Sequence, residues 1–169
     1  MALRALSNRM APGFVATVTN ILSLTDTDAK EVCIGITESA FVHDAGRPEV
    51  IERASRIPRS LSSESTGTGY SSLSYLMEYP VDIVKIDQSF VAKLTENKAS
   101  HAIVTKTIEL AHLLDLPVVC EGVETAEQDR EVSALTSDFS QGFYLSRPMT
   151  AEMLDEMTSS EKSAWTISV

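Results

Sequence analysis

Apolar positions along this chain fall into short β-branched runs, each closed by a polar or charged residue and followed by a segment of helical period. The runs are "EVCIGITE", ending at Glu38, "DIVKID", ending at Asp87, and "LPVVCEGVE", ending at Glu121 and Glu124; "DFSQG", ending at Gln141, is a weaker member. Between them, residues 100–116, "SHAIVTKTIELAHLLDL", place Ile103, Thr107, Leu110, Ala111 and Leu114 at helical spacing, which predicts a helix buried on that stripe. Residues 14–22 repeat the pattern with Phe14, Val18, Ile21 and Leu22, after a Pro12-Gly13 turn. "TAEQ" at 125–128 has the capping-box spacing, Thr first and Gln three residues on, so a helix is expected to start there and run toward Leu135. Strands alternating with helices define an α/β fold with a parallel sheet.

That architecture also says where chemistry would gather. In a parallel βα array the C-terminal ends of the strands share one rim, so Glu38, Lys85, Asp87, Glu121, Glu124 and Gln141 are expected to face one cleft. The plain alternative is that each polar ending only begins a solvated loop. As a set they form a cluster of carboxylates with one lysine. Such a cluster is costly unless a cation compensates it, and a divalent metal is the simplest remedy.

Composition narrows the partners. The 169 residues suit one domain, and a formal charge of −10 argues against nucleic acid or an anionic membrane as partner. Cys33 and Cys120 sit inside apolar runs, which points to buried free thiols and a reducing, cytoplasmic setting. No stretch approaches the roughly 18 apolar residues of a membrane span, and the N-terminus lacks the long apolar core of a signal peptide. His43, His101 and His112 lack metal-ligand spacing, and a structural or surface role is expected for them.

Specific motifs then add a resemblance. "STGTGYSSLSYLMEYPVDIVKIDQSFV", "ELAHLLDLPVVCEGVET", "DFSQGFYLSRPM" and "GITESA" resemble, in order, segments of the EAL-domain family of cyclic di-GMP phosphodiesterases. The resemblance implies a TIM-like (β/α) barrel with two divalent ions, Mg2+ or Mn2+, at its C-terminal rim, where cyclic di-GMP is hydrolysed to pGpG. Carried over by position, it implies Glu38, Glu64, Asp87 and Glu121 as metal residues, Glu121 and Lys85 as catalytic residues, and Glu124 and Gln141 as substrate-binding residues. The domain would occupy residues 1–157, with a polar tail over 158–169 containing Trp165.

The departures fall on the same chemistry. The strand bearing the E-A-L motif has no counterpart, so an incomplete barrel is expected, lacking its first strand or strands. Ala5 stands where the family has a metal-binding Asn, and Ser65 where it has a second Asp; a neutral hydroxyl is a poor ligand for a hard cation. Glu64 replaces the bridging Asp with a longer arm, and "IPRSLSSES" makes a weak central strand. The loop "ESTGTGYSSL" is therefore read as a metal-site loop that has lost carboxylate charge. It is not a P-loop, because the Gly-Lys-Ser/Thr ending is missing. The expected function is that of a degenerate, catalytically inactive EAL domain in cyclic di-GMP signalling, acting through ligand or protein binding. An active phosphodiesterase and a vestigial truncated product are the alternatives. Open sheet edges would invite self-association or a signalling partner. Leu73, Leu76 and Met77 are expected to serve core packing rather than an interface.

Overall fold

The computed structural model describes residues 2–4, 14–28, 32–37, 60–65 and 81–160. In chain order the elements are β1 (Ala2–Arg4), α1 (Phe14–Thr25), β2 (Cys33–Thr37), β3 (Ser60–Ser65), β4 (Ile83–Ile86), α2 (Gln88–Val91), α3 (Lys98–Leu113), β5 (Val118–Glu121), α4 (Ala126–Ala134), β6 (Phe139–Gln141) and α5 (Ala151–Ser160). The strands form one six-stranded sheet in the order β1-β2-β3-β4-β5-β6. Every neighbouring pair is parallel. This is the expected α/β array, with strand order following chain order as in a TIM-like barrel.

Alternation within the strands separates two faces. Val84 and Ile86 of β4 and Val118 and Cys120 of β5 are buried, while Lys85, Val119 and Glu121 are half-buried on the opposite face. The buried set joins Val91, Leu94, Val104, Ile108, Ala111, Val123 and Val132 in one apolar core between the sheet and helices α2, α3 and α4. Burying each such aliphatic side chain contributes roughly 1.5–3 kcal/mol, so this layer fixes the strands that end at the rim. Among the described residues Cys120 is a free, buried cysteine, as expected; burial pushes its thiol up from the ordinary range, so it packs as a small hydrophobe.

Helix α3 corrects one expectation. Its buried positions are Ser100, Val104, Ile108 and Ala111, whereas Ile103 and Leu114 are each 40% exposed. The helix begins earlier than its apolar stripe, at Lys98, because the Asn97 side chain caps it by accepting from the amides of Ala99 and Ser100. Helix α1 extends to Thr25, with Val18 buried and Ile21 exposed. Helix α4 starts as expected: Thr125 Oγ1 accepts from the Gln128 amide, and Gln128 Oε1 accepts from the Thr125 amide, which closes the capping box. Despite its serines, β3 pairs with β2 on one side and β4 on the other, because ladder bonds use backbone groups that serine retains.

Candidate functional site

The strand ends converge as the sequence pattern requires. Asp87 follows β4, Glu121 closes β5 and Gln141 closes β6, with Glu121 and Gln141 paired in register. Together with Glu124, Gly142 and Phe143 they line an open cleft of about 260 Å³. Lys85 Nζ forms an ion pair with Glu121 Oε1, and both side chains are 15% exposed. A pair so shielded from water holds each partner's charge and position far more firmly than one on the surface. On β3, Glu64 lies beside Lys85 in register and Ser65 beside Ile86. Glu38 and Ala5 lie outside the described residues, as does the segment with Leu73, Leu76 and Met77.

Local structure explains how these groups are held. Asp87 caps α2, its Oδ1 accepting from the Ser89 amide at 2.8 Å. After Glu121 the chain turns through Gly122 at φ +73°, where an added Cβ would collide with the side chain of Gln88. Gln128 Oε1, part of the α4 capping box, also accepts from the Glu124 amide at 2.8 Å, so the cap fixes the backbone that carries Glu124. The end of β6 is clasped by Val123, whose amide donates to the Gln141 carbonyl and whose carbonyl accepts from Tyr144, each at 3.0 Å. Gly142 passes so close to Val123 that a Cβ there would overlap its backbone.

The motif reading omitted Phe143. Its ring lines the cleft, is 53% exposed, and carries the Arg147 guanidinium 5.2 Å from its centroid. The signal was present as an aromatic and an arginine four residues apart after Gln141, but loop residues have no periodicity to reveal which way they face. Both helix α3 histidines lie away from the cleft, as expected. His101 Nε2 is 2.9 Å from Glu131 Oε1, and His112 Nε2 is 2.8 Å from Asp138 Oδ2.

The donor set can be tested against the divalent metals that the resemblance implies. Among the described residues, no three His, Cys, Asp or Glu side chains come together in a way that could hold an ion. Glu121 is committed to Lys85, and one oxygen of Asp87 to the helix cap. The described donors therefore do not fit a two-ion centre. What they do fit is recognition, with an acidic and amide-lined cleft bounded by one aromatic ring.

The EAL domain family profile matches residues 2–148, and the chain belongs to the EAL domain family. Among its relatives is the bifunctional diguanylate cyclase/cyclic di-GMP phosphodiesterase MucR of Pseudomonas aeruginosa. The two are 38% identical over 143 residues, which is 84% of this chain and 21% of that protein. A solved MucR phosphodiesterase in complex with cyclic di-GMP superposes with a TM-score of 0.82 at 35% identity, covering 90% of this chain and 63% of the other. The manganese and cyclic di-GMP complex of Klebsiella pneumoniae BlrP1 gives a TM-score of 0.78 at 27% identity, covering 87% and 38%. The chain spans 20% to 24% of the length of several curated relatives it matches. No helix among the described residues is long and apolar enough to cross a membrane.

Proposed function

We propose that this chain is a cyclic di-GMP-binding EAL domain that turns the dinucleotide over little or not at all, and that it acts in cytoplasmic signalling through the bound ligand or a protein partner. The observation that carries the reading is the composition of the rim. Lys85 and Glu121 neutralise each other there, and Ser65 stands at the end of β3 where the family pattern has a carboxylate. A hydroxyl offers a hard cation far less than a carboxylate does, and weakened ligation commonly costs ten- to a hundredfold or more in activity. Binding asks less of the same cleft. It needs shape, hydrogen-bond acceptors at Asp87, Glu124 and Gln141, and a preformed backbone, and the capping box and the Val123 clasp supply the last of these.

In this reading Lys85 and Glu121 set the local charge, Glu124 and Gln141 contact the ligand, and Glu38, Glu64 and Asp87 are what is left of a metal-binding set. The domain comprises residues 1–157, with 158–169 as a tail. A second reading, a magnesium- or manganese-dependent phosphodiesterase, is favoured by one observation: the Lys85–Glu121 pair is in place and shielded.

Calorimetric titration with cyclic di-GMP, and chromatography of the same mixtures with Mg2+ or Mn2+, separate the two. Saturable binding without accumulating pGpG is expected. Sustained pGpG production that is lost in Glu121→Ala would overturn the first reading in favour of the second.

A further inference from the structure

We propose that Phe143 and Arg147 form a stacking platform for a purine base at the edge of the cleft, a subsite that rests on the cyclic di-GMP-binding reading above. Three observations carry it. Phe143 lines the same cleft as Asp87, Glu121, Glu124 and Gln141, so a planar group on its ring lies within reach of hydrogen-bond acceptors. The Arg147 guanidinium sits over the ring at 5.2 Å, while the side chain as a whole remains 53% exposed, so the cation occupies one face and leaves ring surface open to a ligand. The ring is also prepositioned. Gly142 is locked against the Val123 backbone, the Tyr144 amide donates to the Val123 carbonyl, and the amides of Leu145 and Ser146 both donate to the Gly142 carbonyl at 3.1 Å, which closes a turn around Phe143.

The chemistry selects the ligand class. An apolar fragment would gain from the ring but waste the acidic lining, and a bare phosphate would meet Asp87, Glu121 and Glu124. A purine carrying N–H donors on its edge suits both, stacking on Phe143 while donating to carboxylate or amide oxygens. Arg147 adds positive charge beside the ring, where a phosphate attached to that base can approach. Base–aromatic stacking of this kind is sequence-tolerant and loses roughly tenfold or more in affinity when the ring is removed.

The test is calorimetric titration of wild type, Phe143→Ala, Phe143→Trp and Arg147→Gln with two probes, cyclic di-GMP and GMP, alongside thermal melting of each variant. The platform predicts that Phe143→Ala weakens cyclic di-GMP binding by roughly tenfold or more. Phe143→Trp is expected to retain affinity, Arg147→Gln to lose several-fold with a shallower salt dependence, and all melting temperatures to stay close to wild type. Equal affinity of wild type and Phe143→Ala for cyclic di-GMP would overturn the platform and leave the binding reading standing. Equal loss in Phe143→Ala and Phe143→Trp, with lowered melting temperatures, would make the ring structural and also overturn it. Phe143-dependent binding of GMP without binding of cyclic di-GMP would keep the platform and overturn the reading. Binding of neither probe would overturn both.

Discussion

The two ends of strands β5 and β6 put the same residue types to opposite uses. At their C-terminal ends Glu121, Glu124 and Gln141 surround a cleft, and their side chains face space a ligand can enter. At their N-terminal ends Asp138 accepts from His112 and, at 2.8 Å, from the Val118 amide, which ties the end of α3 to the start of β5. Ser137 Oγ reinforces the same corner by donating to the carbonyls of Val118 and Phe139. A carboxylate that is satisfied by its own fold is a structural fastener. One that is left facing a cleft is available for recognition. The contrast matches the general division in βα barrels between a working rim and a stabilising base.

The largest expected effect breaks the rim itself. Gly142→Ala forces a Cβ into the Val123 backbone and should cost on the order of 3 kcal/mol or more; urea unfolding would show it, together with loss of cyclic di-GMP binding. Next, Lys85→Met leaves the shielded Glu121 carboxylate without its partner, which is expected to destabilise by on the order of 3 kcal/mol. The companion Lys85→Met/Glu121→Met double variant should recover much of that stability while still altering ligand affinity. If the single variant were as stable as wild type, the pair would not be holding the rim.

Asp138→Ala tests the other end, with an expected loss of about 1–3 kcal/mol because the Val118 amide is left unpaired, and with ligand affinity unchanged. Its pH dependence has a definite sign. Partial burial pushes the Asp138 carboxyl up, but hydrogen bonds from His112 and the Val118 amide, with the nearby His112 charge, outweigh it and hold the group below its ordinary range. A carboxyl with a depressed folded-state pKa contributes stability above its unfolded value, about 4, and that contribution fades as pH falls toward the folded value. The stability gap between wild type and Asp138→Ala should therefore narrow in acid below about pH 4; a gap that widened there would contradict the assignment. The smallest effect is expected from His101→Ala, which removes an exposed contact to Glu131 and should change stability by less than about 1 kcal/mol. Ser65→Asp, finally, should leave stability near wild type and yield no pGpG, because one restored carboxylate does not by itself complete a two-ion site.

The base of the molecule was harder to foresee from sequence than its rim. The rim follows from strands that end in charge, a pattern of short period that survives in one dimension, so Lys85, Asp87, Glu121, Glu124 and Gln141 could be grouped before any coordinates. Asp138 gave no such sign, since an acid before a strand looks like any solvated turn until its 2.8 Å contact with the Val118 amide is seen. The capping box of α4 was legible because both partners lie within four residues. The buried stripe of α3 was misplaced because that helix carries apolar residues nearly all round, including the 80%-exposed Leu113, so periodicity admits more than one face. Only packing against β4 and β5 selects Val104 and Ile108. Phe143 escaped notice for a related reason: what makes it functional is the cleft beside it.

The central claim, recognition of cyclic di-GMP with little or no cleavage, is tested most directly by holding one sample of purified protein, Mn2+ and cyclic di-GMP at saturation and following its nucleotides over time. The account predicts a stoichiometric complex from which intact cyclic di-GMP is recovered. Continuous conversion to pGpG over many turnovers, abolished by Glu121→Ala, would contradict it.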